Sequence, residues 1–158
     1  MKEILMWSHY ANNHTGVCLE FEIDDKDREK IEGQLFPIEY SNDVVKTDAA
    51  RYHHSGGLAI NIKEEGVFLV RKFSNWSYEQ EIRAYGSVDE GAKGREYPFI
   101  GKLVAINFGL KSSKDDIDLV IHNCTHLRDL QFNKVRLHRP SMEIVVDSKI
   151  ELKTPTEA

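Results

Sequence analysis

The segment Lys102-Leu103-Val104-Ala105-Ile106-Asn107-Phe108 (KLVAINF) decides how the rest of the chain is read. It is a near-continuous apolar run and predicts a buried strand. Just downstream, Ser112 or Ser113 is placed to cap a helix over Lys114–Asn123, with Asp115 and Asp116 in the first turn, where the helix dipole favours acids. Lys134–Leu137 and Glu143–Val146 then predict two strands around a turn at Arg139-Pro140-Ser141. Upstream, Val17–Ile23 alternates, which puts Cys18, Glu20 and Glu22 on one face and Val17, Leu19, Phe21 and Ile23 on the other. Asp24-Asp25 predicts a turn or N-cap opening a short charged helix that ends near Gly33. Leu35–Tyr40 reads as a strand with Pro37 marking an edge or a start.

The middle of the chain is less regular. Ser41–Gly57 has no apolar period and predicts a long loop or loose helix. Glu64–Asn75 is read as a helix, although a strand fits nearly as well. Glu79–Tyr85 is read as a strand, and Asp89–Glu96, with Gly91 and Gly94, as an exposed turn. Strands and helices are interspersed without regular βαβ alternation. The expected class is therefore α+β: a mixed, largely antiparallel sheet with a few short helices, in a single domain over residues 1–150 with a C-terminal tail at 151–158.

The chain has 158 residues with a net charge of −5, 41% hydrophobic and 30% charged residues, which is ordinary globular composition. A chain of this length buries roughly 70% of its unfolded surface, so it needs no staples. No apolar run is long enough to span a bilayer, the N-terminus does not read as a signal peptide, and two cysteines make no disulfide framework. A cytoplasmic protein without a membrane partner is expected. Arg128–Arg139 carries a basic strip of Arg128, Lys134, Arg136 and Arg139; in an acidic protein it reads as a solvated strand face, and nucleic acid is not an expected partner.

Two segments carry residue types suited to chemistry. Met6-Trp7-Ser8-His9-Tyr10-Ala11 sets three large rings with polar handles side by side, followed by His14 and Gly16. Such a cluster suits stacking and edge recognition of a planar ligand. In Trp76-Ser77-Tyr78-Glu79-Gln80-Glu81-Ile82-Arg83, a strand would place Glu79, Glu81 and Arg83 on one face. There the guanidinium lowers a neighbouring carboxylate's pKa, and the paired carboxylates could hold a sugar hydroxyl. The plain alternative is a solvated strand face, with Trp7, Tyr10 and Trp76 in the core. His9 and His14 are five apart, and His122 and His126, four apart around Cys124, have no third ligand at a recognisable spacing, so no metal site is expected. Cys18 sits among acids, which disfavours a reactive thiolate.

Together these segments resemble the bacterial family called domain of unknown function 2971. The likeness is carried by Trp7-Ser8-His9-Tyr10 with His14, Gly16 and Val17–Phe21. A second box follows in Lys72, Trp76, Tyr78-Glu79, Glu81 and Arg83, and a looser third unit is Leu103–Gly109 with the charged helix after it. Members usually carry a further N-terminal stretch before the first box, so the resemblance implies an N-terminally shortened member. Binding without turnover, or dimerisation over an unsatisfied sheet edge, are the consequences it leaves open. The resemblance implies a site and not a reaction: one polar cleft joining both boxes.

Three functions are thereby in view. In the first, the chain is an accessory or small-ligand-binding domain whose cleft uses His9, Tyr10, Glu79, Glu81 and Arg83 together with Trp7 and Trp76; its ligand is unspecified. In the second, a fainter similarity to ADP-ribosyltransferases implies an enzyme using NAD. Tyr10 or Trp7 would stack nicotinamide, Glu81 would hold the ribose hydroxyl and stabilise an oxocarbenium-like transition state, and Glu79 would orient the acceptor. His9 completes the catalytic candidates, while Arg83 argues against the scheme by neutralising Glu81. In the third, there is no small-molecule site, and an apolar surface near Ile4, Leu5 and Trp7 binds a protein partner or a second copy as a homodimer.

Overall fold

The computed structural model describes residues 2–30, 35–43, 70–84 and 101–151. In chain order the elements are α1 (Ile4–Tyr10), β1 (Val17–Glu22), α2 (Asp25–Lys30), β2 (Leu35–Pro37), β3 (Glu39–Tyr40), β4 (Arg71–Lys72), a 3-10 helix (Ser74–Glu79), β5 (Ile82–Ala84), β6 (Lys102–Phe108), α3 (Lys114–Cys124), β7 (Gln131–His138) and β8 (Glu143–Lys149). Helices and a mixed, largely antiparallel sheet make this an α+β protein. The chain divides into two compact units, Met1–Arg28 with Phe99–Ala158, and Glu29–Pro98.

In the first unit, β6 is an inner strand of a four-stranded sheet of order β1-β6-β7-β8. β1 and β8 pair antiparallel with their neighbours, while β6 and β7 run parallel. A parallel neighbour needs a crossover, and α3 supplies it. Ser113 caps α3 by accepting the Asp116 N–H at 3.1 Å, with Asp115 and Asp116 in the first turn. Its positions Ile117, Val120, Ile121 and Cys124 share one face. They pack on Ile106, Phe108, Leu130 and Phe132. Phe108 and Phe132 stack with ring centroids 6.5 Å apart.

A second cluster unites Trp7 and Ala11 with Val135 and Ile144, joined by Ile4, Cys18, Leu110 and Leu137. Trp7 is only 2% exposed. β6 therefore stands between apolar layers, which is why it reads as a continuous apolar run. The exception, Asn107, is wholly buried and registers with Asn133 of β7. Asn133 donates its amide to Asn107 Oδ1 at 2.9 Å, and Asn107 donates to the Cys18 carbonyl at 3.5 Å.

Several expected boundaries change. β7 and β8 extend beyond Lys134–Leu137 and Glu143–Val146, because cross-strand pairing recruits polar ends such as Gln131 and Lys149. The expected strand Leu35–Tyr40 breaks at buried Ile38 into β2 and β3, which pair with different partners, β5 and β4. The helix expected over Glu64–Asn75 is corrected where it is described: Arg71–Lys72 is a strand paired with β3, and Ser74 opens the 3-10 helix. Residues 64–69, 44–57, 89–96 and 152–158 lie outside the described residues. The apolar face of β1 is not fully covered, since Val17 and Leu19 remain exposed on an edge strand while Cys18 packs into the Trp7 cluster.

The segment between α1 and β1 is a left-handed turn, with positive φ at Asn12, Asn13 and His14. Asparagine tolerates that region, and backbone bonds hold His14 there: its N–H donates to the Trp7 carbonyl at 3.2 Å, and its carbonyl accepts from Lys111 at 2.9 Å. Gly109, just after β6, must be glycine for a different reason, because a Cβ would lie 2.2 Å from the His14 carbonyl oxygen. This packing predicts that Trp7→Ala costs about 3–5 kcal/mol in urea unfolding, as expected for a buried tryptophan removed from a core. A cost under about 1 kcal/mol would place the ring outside the core.

Candidate functional site

The second unit contains the charged part of the candidate site. β3 and β4 pair in parallel, with Tyr40 opposite Lys72. After Lys72 the chain enters the 3-10 helix, leaves it through Gln80 in the left-handed region, and continues into β5. The expected strand over Glu79–Tyr85 is therefore corrected: Glu79 ends a helix, the strand is Ile82–Ala84, and Tyr85 lies outside the described residues. Glu79 and Glu81 do not converge through strand alternation. They converge because the turn at Gln80 brings both carboxylates to one ammonium.

That ammonium is Lys72. Its Nζ bonds Glu79 Oε2 and lies 2.7 Å from Glu81 Oε2. On the other side, Arg83 donates through Nε to Glu81 Oε1 and through Nη2 to Glu81 Oε2 at 3.3 Å. Two cations and two carboxylates thus form one charge-balanced chain, Glu79–Lys72–Glu81–Arg83. The Glu79 side chain is 3% exposed, whereas those of Lys72, Glu81 and Arg83 are 23%, 25% and 29% exposed. Lys72 Nζ also sits 5.8 Å from the centre of the Trp76 ring, within cation–π range. Trp76 is 38% exposed, and its ring lies 6.0 Å from that of Tyr78. The Tyr40 hydroxyl accepts the Glu81 backbone N–H at 2.9 Å, which fixes the chain where the charges meet.

These contacts set the protonation states. The Arg83 hydrogen bond, aided by Lys72 and opposed by burial, holds the Glu81 carboxyl down to about 2. Burial works against the charge on Lys72, yet its hydrogen bonds to Glu79 and Glu81 overcome that and raise the ammonium above its ordinary value. Burial, then the Glu79 carboxylate, raises the Tyr78 phenol. At neutral pH the network presents an ionised acceptor beside cationic donors, and Glu81 holds no proton to give.

The first segment takes up different positions. Trp7 is core, and so forms no part of an exposed apolar surface with Ile4 and Leu5. His14 is buried, its Nε2 is 3.0 Å from Ser8 Oγ, and Ser8 Oγ donates to the Ile4 carbonyl at 3.2 Å. With that hydroxyl proton directed to the Ile4 carbonyl, His14 Nε2 is the donor to Ser8 Oγ. Burial first, and then the charge of Lys111, lowers its pKa. His9 and Tyr10 face outward on α1, with rings edge to face at 6.4 Å and Tyr10 60% exposed. Hence Trp7, His9 and Tyr10 belong to the first unit, and Trp76, Glu79, Glu81 and Arg83 to the second. Among the described residues, no three His, Cys, Asp or Glu side chains gather as a metal site. No helix there is long and apolar enough to cross a membrane.

Sequence reasoning about the site residues passed over Lys72 and Tyr40. The available signal for Lys72 was its place ahead of Trp76 and Glu79 in the second box. Tyr40 gave no local sign, because its contact spans 41 residues.

Comparison with known proteins yields one finding. A family model described as a protein of unknown function (DUF2971) matches residues 6–84, half of the chain and both boxes. Neither the curated proteins nor the solved structures contain a match.

Two outcomes follow from the network. Because the folded Glu81 value lies below its ordinary 4.5, the unfolded chain takes up the proton first. The stabilisation is complete above pH 4.5 and drains away as pH falls through about 2. Urea unfolding at a series of pH values should show that loss flattened in Glu81→Gln, and an unchanged slope would remove Glu81 from the linkage. Lys72→Met removes an ion-pair partner of the buried Glu79 carboxylate and should cost about 3 kcal/mol, measured in the same way. A cost near zero would show that Lys72 is not its essential partner.

Proposed function

The chain belongs to the DUF2971 family, and from that premise we propose that it binds a small polar ligand at the open side of the Glu79–Lys72–Glu81–Arg83 network. The supporting observation is an ion network that is anchored inside by Glu79 but left partly open at Lys72, Glu81 and Arg83, with an exposed Trp76 ring beside it. A partly buried ion network adds little net stability compared with apolar packing, since desolvation offsets much of the attraction. Charged groups held in fixed geometry at a surface are instead suited to orienting a ligand. Glu81, Arg83 and Lys72 are its direct contacts, Glu79 positions them from inside, and Trp76 flanks them. His9 and Tyr10 provide a further exposed polar-aromatic surface on α1 and are proposed as contacts of their own unit.

The reading is binding rather than proton-transfer catalysis. A general acid needs a carboxyl that carries its proton near neutral pH, and a general base works best with a pKa close to it. Glu81, held at about 2 by Arg83 and Lys72, meets neither need.

Thermal unfolding of the full chain against NAD, ADP-ribose, common nucleotides, neutral sugars and buffer alone tests the reading. A ligand present at a hundred times its dissociation constant stabilises the fold by about 2.7 kcal/mol, which a melt resolves easily. The expected result is a shift in the wild type that is clearly reduced in Glu81→Gln, with the variant's circular dichroism unchanged. A shift fully retained in that variant, or no shift with any compound, would overturn the proposal.

A further inference from the structure

Resting on that reading of the network, we infer that the ligand class is an uncharged polyol, recognised through adjacent hydroxyl groups by the Glu81 carboxylate and the Arg83 and Lys72 donors. The first support is charge. Lys72 and Arg83 contribute two positive charges, Glu79 and Glu81 two negative ones, and each is engaged with its opposite. An anionic ligand that reaches the Arg83 or Lys72 donors lies against the Glu81 carboxylate bonded to them and is repelled by it. A cationic ligand at Glu81 lies likewise against the Lys72 and Arg83 charges. A neutral ligand meets neither repulsion.

The second support is the order of donors and acceptors. Glu81 is acceptor-only, while Arg83 and Lys72 are donor-only, and they touch: Lys72 Nζ is 2.7 Å from Glu81 Oε2, and Arg83 Nη2 is 3.3 Å from the same oxygen. Glu81 Oε2 meets both cations, whereas Oε1 accepts from Arg83 Nε and keeps a further lone pair, and the three side chains keep 23–29% of their surface open. A hydroxyl both donates and accepts. Two neighbouring hydroxyls therefore match the pattern, one donating to Glu81 and the next accepting from Arg83 or Lys72. A lone amine, carboxylate or phosphate satisfies one half of it and opposes the other.

The third support is the flank. Trp76 is exposed, with its ring centre 5.8 Å from Lys72 Nζ, and an aromatic surface next to paired polar groups suits a molecule with apolar C–H edges and hydroxyl rims. Trp76 also serves as the reporter, because the other tryptophan, Trp7, is buried in the core.

The test is a titration of the full chain, followed by tryptophan fluorescence and by thermal unfolding. The probes are D-glucose, D-ribose, myo-inositol and adenosine as neutral polyols, 2′-deoxyadenosine as the matched compound without the vicinal diol, and inorganic phosphate, ADP-ribose and spermidine as charged probes. A response to neutral polyols, with phosphate and spermidine silent and with Glu81→Gln about tenfold weaker from the loss of one charge-assisted bond, supports the inference. Response to free sugars without adenosine assigns the polyol to a saccharide; response to adenosine but not 2′-deoxyadenosine assigns it to a ribose. Equal binding of adenosine and 2′-deoxyadenosine, or binding only of charged probes, overturns the polyol inference and leaves ligand binding at the network standing. Silence from every probe here and in the nucleotide screen overturns both.

Discussion

The side-by-side pairing of Asn107 with Asn133 is the constraint around which the first unit is arranged. β6 and β7 are buried strands, and apolar burial by itself is indifferent to which residue of one strand faces which residue of the other. The amides are not. A buried carboxamide without partners costs several kcal/mol, roughly 2–7 by transfer scales. Asn133 reaches Asn107 at 2.9 Å only when Ile106 lies beside Phe132, which is the observed register. A slip of β7 by one residue would turn Asn133 into the phenylalanine layer under α3 and send Phe132 to the opposite face, leaving Asn107 without its partner. Hydrophobic burial thus drives the sheet together, and one amide pair selects how it assembles. Asn107 also reaches the Cys18 carbonyl, which extends the same polar line to the edge strand.

What could be read in advance follows the range of the interactions. β6, and α3 with its Ser113 cap and acidic first turn, were legible because their signals are local: an apolar run, a cap and a helical spacing. The polar ends of β7 and β8 carry no such signal and become strand only because a neighbour pairs with them. α1 was missed for a related reason. Its seven residues offer no clean helical period, and the turn that ends it uses left-handed backbone at His14 as well as at two asparagines. The signal there was Asn12-Asn13; nothing local marked His14.

The candidate site shows the same limit more sharply. Glu79, Glu81 and Arg83 were recognisable as one charged group, but period-two spacing gave the wrong reason for it. The actual device is a left-handed Gln80 between a 3-10 helix and a short strand, together with a parallel β3–β4 pairing that presents Lys72. Neither is encoded by residue type: glutamine has no preference for that backbone region, and strands of two residues have no pattern. The first box illustrates the opposite error. Trp7 looked like a stacking surface for a ligand, yet it fills a core, as the plain alternative had it, and Ser8 and His14 hydrogen-bond each other at the turn.

The two boxes therefore use polar residues for opposite ends. In the first, Ser8 and His14 are spent internally, on each other and on the backbone of the turn, while His9 and Tyr10 face outward. In the second, the polar groups form a gradient from inside to outside. Glu79 is almost fully buried, and Lys72 accompanies its charge there. Lys72, so anchored, holds its remaining donors toward Glu81, and Arg83 clamps that carboxylate from the far side. Burial at one end makes the geometry at the other end stiff. Glu81 and Arg83 are thereby an oriented acceptor–donor pair rather than two flexible side chains in water, and the proposed ligand recognition rests on that orientation.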